Sequence, residues 1–275
     1  MEYKRILTVQ DISCVGQCSM TVALPILSAC GHEICILPPA VLSTHTGGFG
    51  KPAVVHLAER MPEIVAHWKA NAVDFDIIQV GYLGSVEAID CVAEIMSTMK
   101  KSGGITIVDP AMADHGKLYS GLSEEYARKM AALCLKADLM IPNVTEAAMM
   151  AGVPYRTDAD ESYIRNVLEK LGGADVVLTG FSPEAGKTGF AVRQGHGIRF
   201  YSHDRIGKNY HGTGDMFAAV LTGALGCGKG LYNSAETAAE FTKKCIENTY
   251  RNPAHWYGIK FETELPELIR MLRNG

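Results

Sequence analysis

No apolar run in this chain reaches the roughly 18 residues of a membrane span, and no block of Lys or Arg offers a basic surface. The first absence speaks against a membrane-spanning helix. The second speaks against nucleic acid or an anionic membrane as partner, in keeping with a net charge of −4 from 26 basic and 30 acidic residues. No C-x-x-C pair occurs either. The eight cysteines (Cys14, Cys18, Cys30, Cys35, Cys91, Cys134, Cys227, Cys245) are scattered among apolar neighbours. The nearest pair, Cys14 and Cys18, lacks a second pair or nearby His to complete a zinc site, so they read as structural thiols of a reducing compartment. Internal repeats, low-complexity tracts and Pro/Gly/Ser linkers are also missing, which leaves no seam between two domains. Finally, the first strand is followed by Gln10-Asp11-Ile12-Ser13-Cys14-Val15-Gly16 and not by G-x-G-x-x-G, which argues against a dinucleotide oxidoreductase.

What is present is a chain of 275 residues, 47% hydrophobic and 20% charged, able to bury a large core. It reads as one domain over residues 1–275. Short β-rich runs alternate with longer helical ones. Strands are expected at Arg5–Gln10, Glu33–Leu37, Asp76–Gly81, Ile105–Asp109, Leu139–Ile141, Val176–Thr179, Thr188–Arg193 and Ile198–Ser202. Helices are expected at Ser19–Cys30, Val54–Asn71, Ser85–Lys101, Ser123–Lys136, Asn143–Ala151, Asp160–Leu171, Asp215–Leu225, Ser234–Tyr250 and Thr263–Leu272. This alternation predicts an α/β fold: a largely parallel central sheet with helices on both faces. The pair flanking Gln194-Gly195-His196-Gly197 predicts an antiparallel hairpin at one edge. Pro38-Pro39 and Thr46-Gly47-Gly48-Phe49-Gly50 read as an irregular loop near the site. The opening Tyr3-Lys4-Arg5-Ile6-Leu7 enters the strand pattern at once, and the protein is expected to be cytoplasmic.

The most informative segment is His211-Gly212-Thr213-Gly214-Asp215, followed directly by the apolar run Met216-Phe217-Ala218-Ala219-Val220-Leu221. Two glycines allow a tight turn with exposed N–H groups, and a helix starting behind them adds the positive end of its dipole. That combination is an anion hole. Asp215, in the first helical turn, can lie beside a bound phosphate and take a proton from an attacking hydroxyl. The competing reading of Asp215 is a helix cap.

In such a sheet, ligands bind beyond the carboxyl ends of the strands. Gln10-Asp11, Gly81-Tyr82-Leu83-Gly84-Ser85, Asp109-Pro110, Pro142-Asn143-Val144-Thr145-Glu146 and Thr179-Gly180 should therefore open on one rim. Each also has an ordinary reading as turn chemistry: Asn143 as an N-cap with Glu146 closing a capping box, Asp109 before Pro as a turn starter. Together with the glycine turn they favour a magnesium-nucleotide site, since Mg²⁺ takes one or two carboxylates plus phosphate oxygens.

Gly212-Thr213-Gly214-Asp215, Ser43-Thr44-His45-Thr46-Gly47, Gly81-Tyr82-Leu83-Gly84-Ser85, Asp109-Pro110-Ala111-Met112 and Pro142-Asn143-Val144-Thr145-Glu146 occur in order along nearly the whole chain. In this it resembles the pyridoxal kinase branch of the ribokinase-like superfamily. G-T-G-D alone indicates the superfamily; S-x-H-T-G and G-Y-L-G-S point to the vitamin B6 branch. The resemblance implies a ribokinase-like fold, ATP as co-substrate, Mg²⁺ and a homodimer. It implies Asp215 as general base, with the amides of Gly212, Thr213 and Gly214 stabilising the transferred phosphoryl group. Asp109, Asn143 and Glu146 would shape the Mg²⁺-phosphate region, Asp109 and Glu146 toward the metal with Asp114 a weaker addition. Thr179 and Thr213 would contact the nucleotide. Asp11, Thr46 and Tyr82 fall where the family contacts the pyridine ring, and His45 reads as structural.

Two positions depart from the family pattern. Asp11-Ile12 stands where Ser-His is common, which makes the ring-binding corner more acidic and leaves vitamer preference open. Ile141 stands where a Thr able to contact a monovalent cation is often found, which puts cation activation in doubt. The sequence thus predicts phosphorylation of the 5′-hydroxymethyl group of pyridoxal or a close vitamer. Hydroxymethylpyrimidine kinase and a non-catalytic vitamin or nucleotide binder are the alternatives.

Overall fold

A computed structural model describes residues 3–173, 175–207, 210–252 and 254–273. In chain order the elements are β1 (Arg5–Val9), β2 (Ile12–Ser13), α1 (Met20–Ala29), β3 (Glu33–Ile36), β4 (Ala40–Leu42), β5 (Val54–His56), α2 (Met61–Ala70), β6 (Phe75–Val80), α3 (Val86–Thr98) and β7 (Lys100–Val108). There follow β8 (Ala113–Asp114), β9 (Lys117–Leu118), α4 (Glu124–Cys134), β10 (Leu139–Met140), α5 (Val144–Ala151), α6 (Glu161–Lys170), β11 (Asp175–Phe181), β12 (Lys187–Gln194), β13 (Gly197–Asp204), α7 (Thr213–Gly226), α8 (Leu231–Tyr250) and α9 (Leu265–Arg273).

Among the described residues the main sheet has eight strands in the order β13-β12-β11-β10-β7-β6-β1-β3. From β11 to β3 every pairing is parallel; β11–β12 and β12–β13 are antiparallel, giving the expected edge hairpin. Both faces are covered, and successive strand residues enter opposite cores, as the two-residue period of a strand requires. Leu7, Val9, Ile78, Val80, Val176 and Leu178 pack with α2, α3, α4 and α6. Ile6, Ile77 and Val177 pack with α1, α7, α8 and α9. All eight cysteines are free. No helix among the described residues is long and apolar enough to cross a membrane.

β1 lies between β3 and β6, so the chain leaves it on one side and returns on the other. This reversal opens a crevice at the carboxyl end of β1, where Asp11 stands.

Two expected elements are corrected by the structure. Val54–Asn71 is not one helix: Val54–His56 pairs antiparallel with Ala40–Leu42, and the helix begins at Met61 after a short 3₁₀ turn. Pro62 in the first turn marks the true start, where a missing N–H costs nothing. The helix Ser85–Lys101 ends at Thr98, and the strand expected from Ile105 begins at Lys100. Phe75 N–H donates to Met99 O at 2.9 Å, which ties the helix end back to β6. The short β2-β4-β5 sheet and the β8-β9 hairpin had no expectation in the sequence.

Candidate active site

Gly212 is the N-cap of α7 with φ 83°, and no side chain caps the helix. A β-carbon on Gly212 would come within 2.0 Å of Gln17 O, so both the backbone angle and the close approach require glycine. The first helical bond runs from Met216 N–H to Gly212 O at 2.9 Å. The N–H groups of Thr213, Gly214 and Asp215 therefore have no intrahelical acceptor, as at any helix start. Asp215 stands in this first turn, and the backbone N–H of Ser19, on a different element, acts on its carboxylate electrostatically. It is not the cap of its own helix. Burial raises the Asp215 carboxyl to about 6; the Ser19 N–H opposes this and the Asp11 charge adds to it.

Asp109 follows β7, its Oδ1 accepting from Ala111 N–H at 3.1 Å. Burial holds its carboxyl well above the ordinary range, and the charges of Glu146 and Asp215 push the same way. The three carboxylates thus share one region. Glu146 is 1% exposed and its oxygens are committed to backbone. Oε1 accepts from Met112 N–H (2.8 Å) and Ala113 N–H (3.3 Å), and Oε2 from Asn143 N–H (2.9 Å). Asn143 Oδ1 returns a bond from Glu146 N–H at 3.0 Å, so the capping box is real, and Asn143 Nδ2 donates to Ala113 O at 2.7 Å. Burial raises Glu146, while these three N–H groups oppose the rise.

The sequence placed both Asp109 and Glu146 on the metal. The hydrogen bonds divide that work: Glu146 braces the Asp109–Ala113 segment, and Asp109 is the carboxylate with acceptor capacity facing the cluster. Asp114 is exposed on the β8-β9 turn, 3.6 Å from His115 Nε2, and reaches the cluster only through its charge. Among the described residues no Lys or Arg pairs with Asp109, Glu146 or Asp215, and no three or more His, Cys, Asp or Glu side chains form a metal cage. Clustered carboxylates without a basic partner are the donor set of a hard cation completed by phosphate and water, which fits Mg²⁺. Thr179 lies beside this region, its N–H on Pro142 O at 2.9 Å and its backbone bridged to Asn143.

The expected ring-binding corner is assembled in part. Asp11 N–H donates to Tyr82 O at 3.2 Å, and the Asp11 charge acts on the Tyr82 hydroxyl. Asp11 is 3% exposed, and its Oδ2 accepts from Ser13 Oγ at 3.1 Å. Burial raises the Asp11 carboxyl, and the Ser19 and Ser13 hydroxyls and His45 counter the rise. Thr46 is exposed on the loop that His45 anchors. His45 is buried, with Nδ1 accepting from Gly47 N–H at 2.9 Å and Nε2 on Tyr257 O at 2.7 Å, so both ring nitrogens are engaged with backbone and its role is structural.

Two residues at the site were not singled out from sequence. Burial raises the hydroxyl pKa of Tyr119, just beyond β9, as do the charges of Glu146, Asp109, Asp114 and Asp215. It is brought there by the unforeseen β8-β9 hairpin. Ser19, read only as a helix start, lies between Asp11 and Asp215; no periodic signal marks such a residue.

Comparison with known proteins finds kinases among the relatives. The sequence profile of the phosphomethylpyrimidine kinase family matches residues 53–258. The crystal structure of pyridoxal kinase from Lactobacillus plantarum superposes with a TM-score of 0.90 at 32% identity, covering 98% of each chain. A Bacteroides thetaiotaomicron protein, provisionally described as a phosphomethylpyrimidine kinase and crystallised with pyridoxal, superposes at 0.89 with 34% identity over 96% of this chain and 95% of that one. Hydroxymethylpyrimidine/phosphomethylpyrimidine kinase of Haemophilus influenzae is 28% identical over 196 residues, 67% of this chain and 71% of its own.

Proposed function

The chain belongs to the phosphomethylpyrimidine kinase family, and from that premise we propose that it transfers the γ-phosphoryl group of ATP to the 5′-hydroxymethyl group of pyridoxal or a close vitamer. The observation that carries the reading is the position of Asp215: a half-buried carboxylate raised to about 6, in the first turn of a helix whose leading N–H groups lack intrahelical acceptors. A carboxylate so raised is a better base for an alcohol than an exposed one, and the N–H groups beside it can take the charge of the transferred group.

In this reading the residues divide the work. Asp215 aligns and deprotonates the hydroxymethyl group. The amides of Gly212, Thr213 and Gly214 stabilise the phosphoryl oxygens. Asp109 would hold Mg²⁺, which when bound neutralises phosphate charge, while Glu146 and Asn143 keep the Asp109–Ala113 segment in place. Asp11 and Tyr82 form the wall for the ring, with Thr46 on the facing loop. Catalysis in this arrangement is positioning plus electrostatics.

A second reading is phosphorylation of hydroxymethylpyrimidine, supported by the family match and the Haemophilus influenzae relative. The alcohol chemistry is the same, so only the ring wall separates the two. The deciding experiment is ADP release with ATP-Mg²⁺ against pyridoxal, pyridoxine, pyridoxamine and hydroxymethylpyrimidine. Preference for a B6 vitamer supports the first reading; preference for the pyrimidine replaces it; ADP release with neither removes both.

A further inference from the structure

Three of the five residues from Thr46 to Gly50 are glycine, two of them at positive φ (Gly48 83°, Gly50 79°), so this loop loses much freedom on ordering and needs support from outside itself. The support comes from the residues that follow α8. The ring of Phe49, the loop's one large side chain, lies 4.8 Å from the ring of Trp256 and 6.2 Å from that of Tyr257. Gly48 passes directly under the same indole: a β-carbon there would come within 2.7 Å of its six-membered ring. At the start of the loop, His45 Nε2 meets Tyr257 O at 2.7 Å. The corner formed by His255, Trp256 and Tyr257 is itself fixed. Ile259 and Phe261 are buried in the core beside α7 and α8, and Lys260 N–H donates to Thr249 Oγ1 of α8 at 2.8 Å. His255 Nε2 donates to Gln17 Oε1 at 2.7 Å, and Gln17 Nε2 donates to Glu262 Oε1 at 2.5 Å. Gln17 O in turn abuts Gly212, so the corner and the glycine turn of the anion hole share one frame. Trp256 is nonetheless 45% exposed. The core does not need it; the loop does.

We propose that Trp256 is a positioning residue: from a corner anchored in the core it holds the Thr46–Gly50 loop in place opposite Asp11 and Tyr82, and so sets how tightly the substrate ring is gripped. It acts through Gly48 and Phe49 and not on the reacting atoms. Its loss should therefore weaken the hold on the alcohol in ground state and transition state alike, and leave the phosphoryl transfer step at Asp215 as it was.

The loop's part in gripping the ring rests on the proposed kinase reaction, so the test includes a measurement made without substrate. Trp256→Ala should raise KM for the alcohol roughly three- to ten-fold, the scale of an aromatic contact, with kcat and KM for ATP unchanged. Trp256→Phe, which keeps a ring against Phe49, should recover most of the loss. Phe49→Ala removes the same contact from the loop side and should add little when combined with Trp256→Ala. In the substrate-free protein, hydrogen exchange of the His45 and Gly47 amides, bonded to Val15 O and His45 Nδ1, should quicken in Trp256→Ala while exchange over residues 259–261 stays at the wild-type level. Unchanged exchange in the loop would overturn the proposal. So would exchange that quickens equally over residues 259–261, because Trp256 would then brace the end of α8 and not the loop. A quickened loop with an unchanged KM for the alcohol would overturn it as well, since the loop's position would not matter to the ring. If the wild-type protein phosphorylates no alcohol, the kinase reading falls, and the exchange rates still decide whether Trp256 holds the loop.

Discussion

The imidazole of His211 lies so close over Gly47 that a β-carbon there would come within 2.4 Å of the ring. His211 leads directly into the glycine turn of the anion hole, and Gly47 belongs to the loop that carries Thr46. The same ring is 5.0 Å from that of His45, which anchors the loop to Tyr257 O. The glycine turn before α7 and the loop that carries Thr46 are therefore in direct contact, and a displacement of one is felt by the other.

Gly47→Ala tests that contact. The added methyl must push the His211 ring aside, and because His211 is exposed the ring has room to move. The expected loss of stability is under about 1 kcal/mol, with a clear rise in KM for the alcohol as the loop shifts. Gly47→Ala combined with His211→Ala should restore KM toward wild type. An unchanged KM in the single variant would show that the two loops are not coupled through this pair.

Asp215→Asn keeps the size of the side chain and removes the base. Turnover should fall by roughly 10²–10⁴, with ATP affinity nearly unchanged. The acid limb of kcat/KM for wild type should have its midpoint near the raised value of about 6. The same rise fixes the sign of a stability effect. A folded-state pKa above the unfolded one means the native protein binds the proton more tightly, so this group's contribution is present at low pH and is lost as pH rises through about 6. Asn carries no such charge, so the variant should melt no lower than wild type at pH 7. Near-normal turnover, or melting well below wild type at pH 7, would contradict the role given to Asp215.

The parts legible in the sequence are those set by local chemistry. The helices expected to begin at Ser85, Ser123 and Asp160 do so because each side chain accepts from an N–H three residues on, at 3.2, 3.1 and 2.8 Å. The parallel sheet followed from strand and helix alternation, and its strand ends delivered Asp11, Tyr82, Asp109, Asn143 and Thr179 to one rim. What was not legible depends on partners distant in sequence. Val54–His56 is a strand only because Ala40–Leu42 lies beside it, and its two valines are equally compatible with the start of a helical pattern. Glu146 shows the same limit at the site. Its capping box could be read locally, but its bonds to Met112 and Ala113 cross 34 and 33 residues.

Those long-range bonds change what Glu146→Gln should do. Glu146 accepts from three backbone N–H groups, and a glutamine can present only one oxygen, so one side must set a donor against a donor. A loss of about 1–3 kcal/mol is expected from the unsatisfied buried group, read as a lower Tm. The Asp109–Ala113 segment should loosen with it, raising the Mg²⁺ requirement and lowering turnover, while pyridoxal affinity by calorimetry stays nearly intact. Normal Mg²⁺ dependence with lost pyridoxal binding would mean that Glu146 serves the ring and not the phosphate region.

Asp11 is the residue most able to give this protein a substrate preference of its own. Its buried carboxylate acts through its charge on Tyr82 and Asp215, and no Lys or Arg among the described residues pairs with it. An ionised carboxylate only accepts hydrogen bonds, whereas a serine also donates, so Asp11 should favour ligands that present a donor or a cation. The ammonium group of pyridoxamine and a protonated ring nitrogen qualify. A hydrogen bond to a charged group contributes on the order of 1.5–3 kcal/mol, and each 1.4 kcal/mol is about a factor of ten. Asp11→Ser should therefore change the ratio of kcat/KM between pyridoxamine and pyridoxal by roughly ten-fold or more, at the expense of pyridoxamine, while ATP parameters barely move. Ser13 already bonds this carboxylate, so part of the change will appear as a lower Tm from its lost acceptor. The two effects separate cleanly: a lower Tm with an unchanged vitamer ratio would make Asp11 a structural anchor, and a shifted ratio makes it the residue that reads the ring.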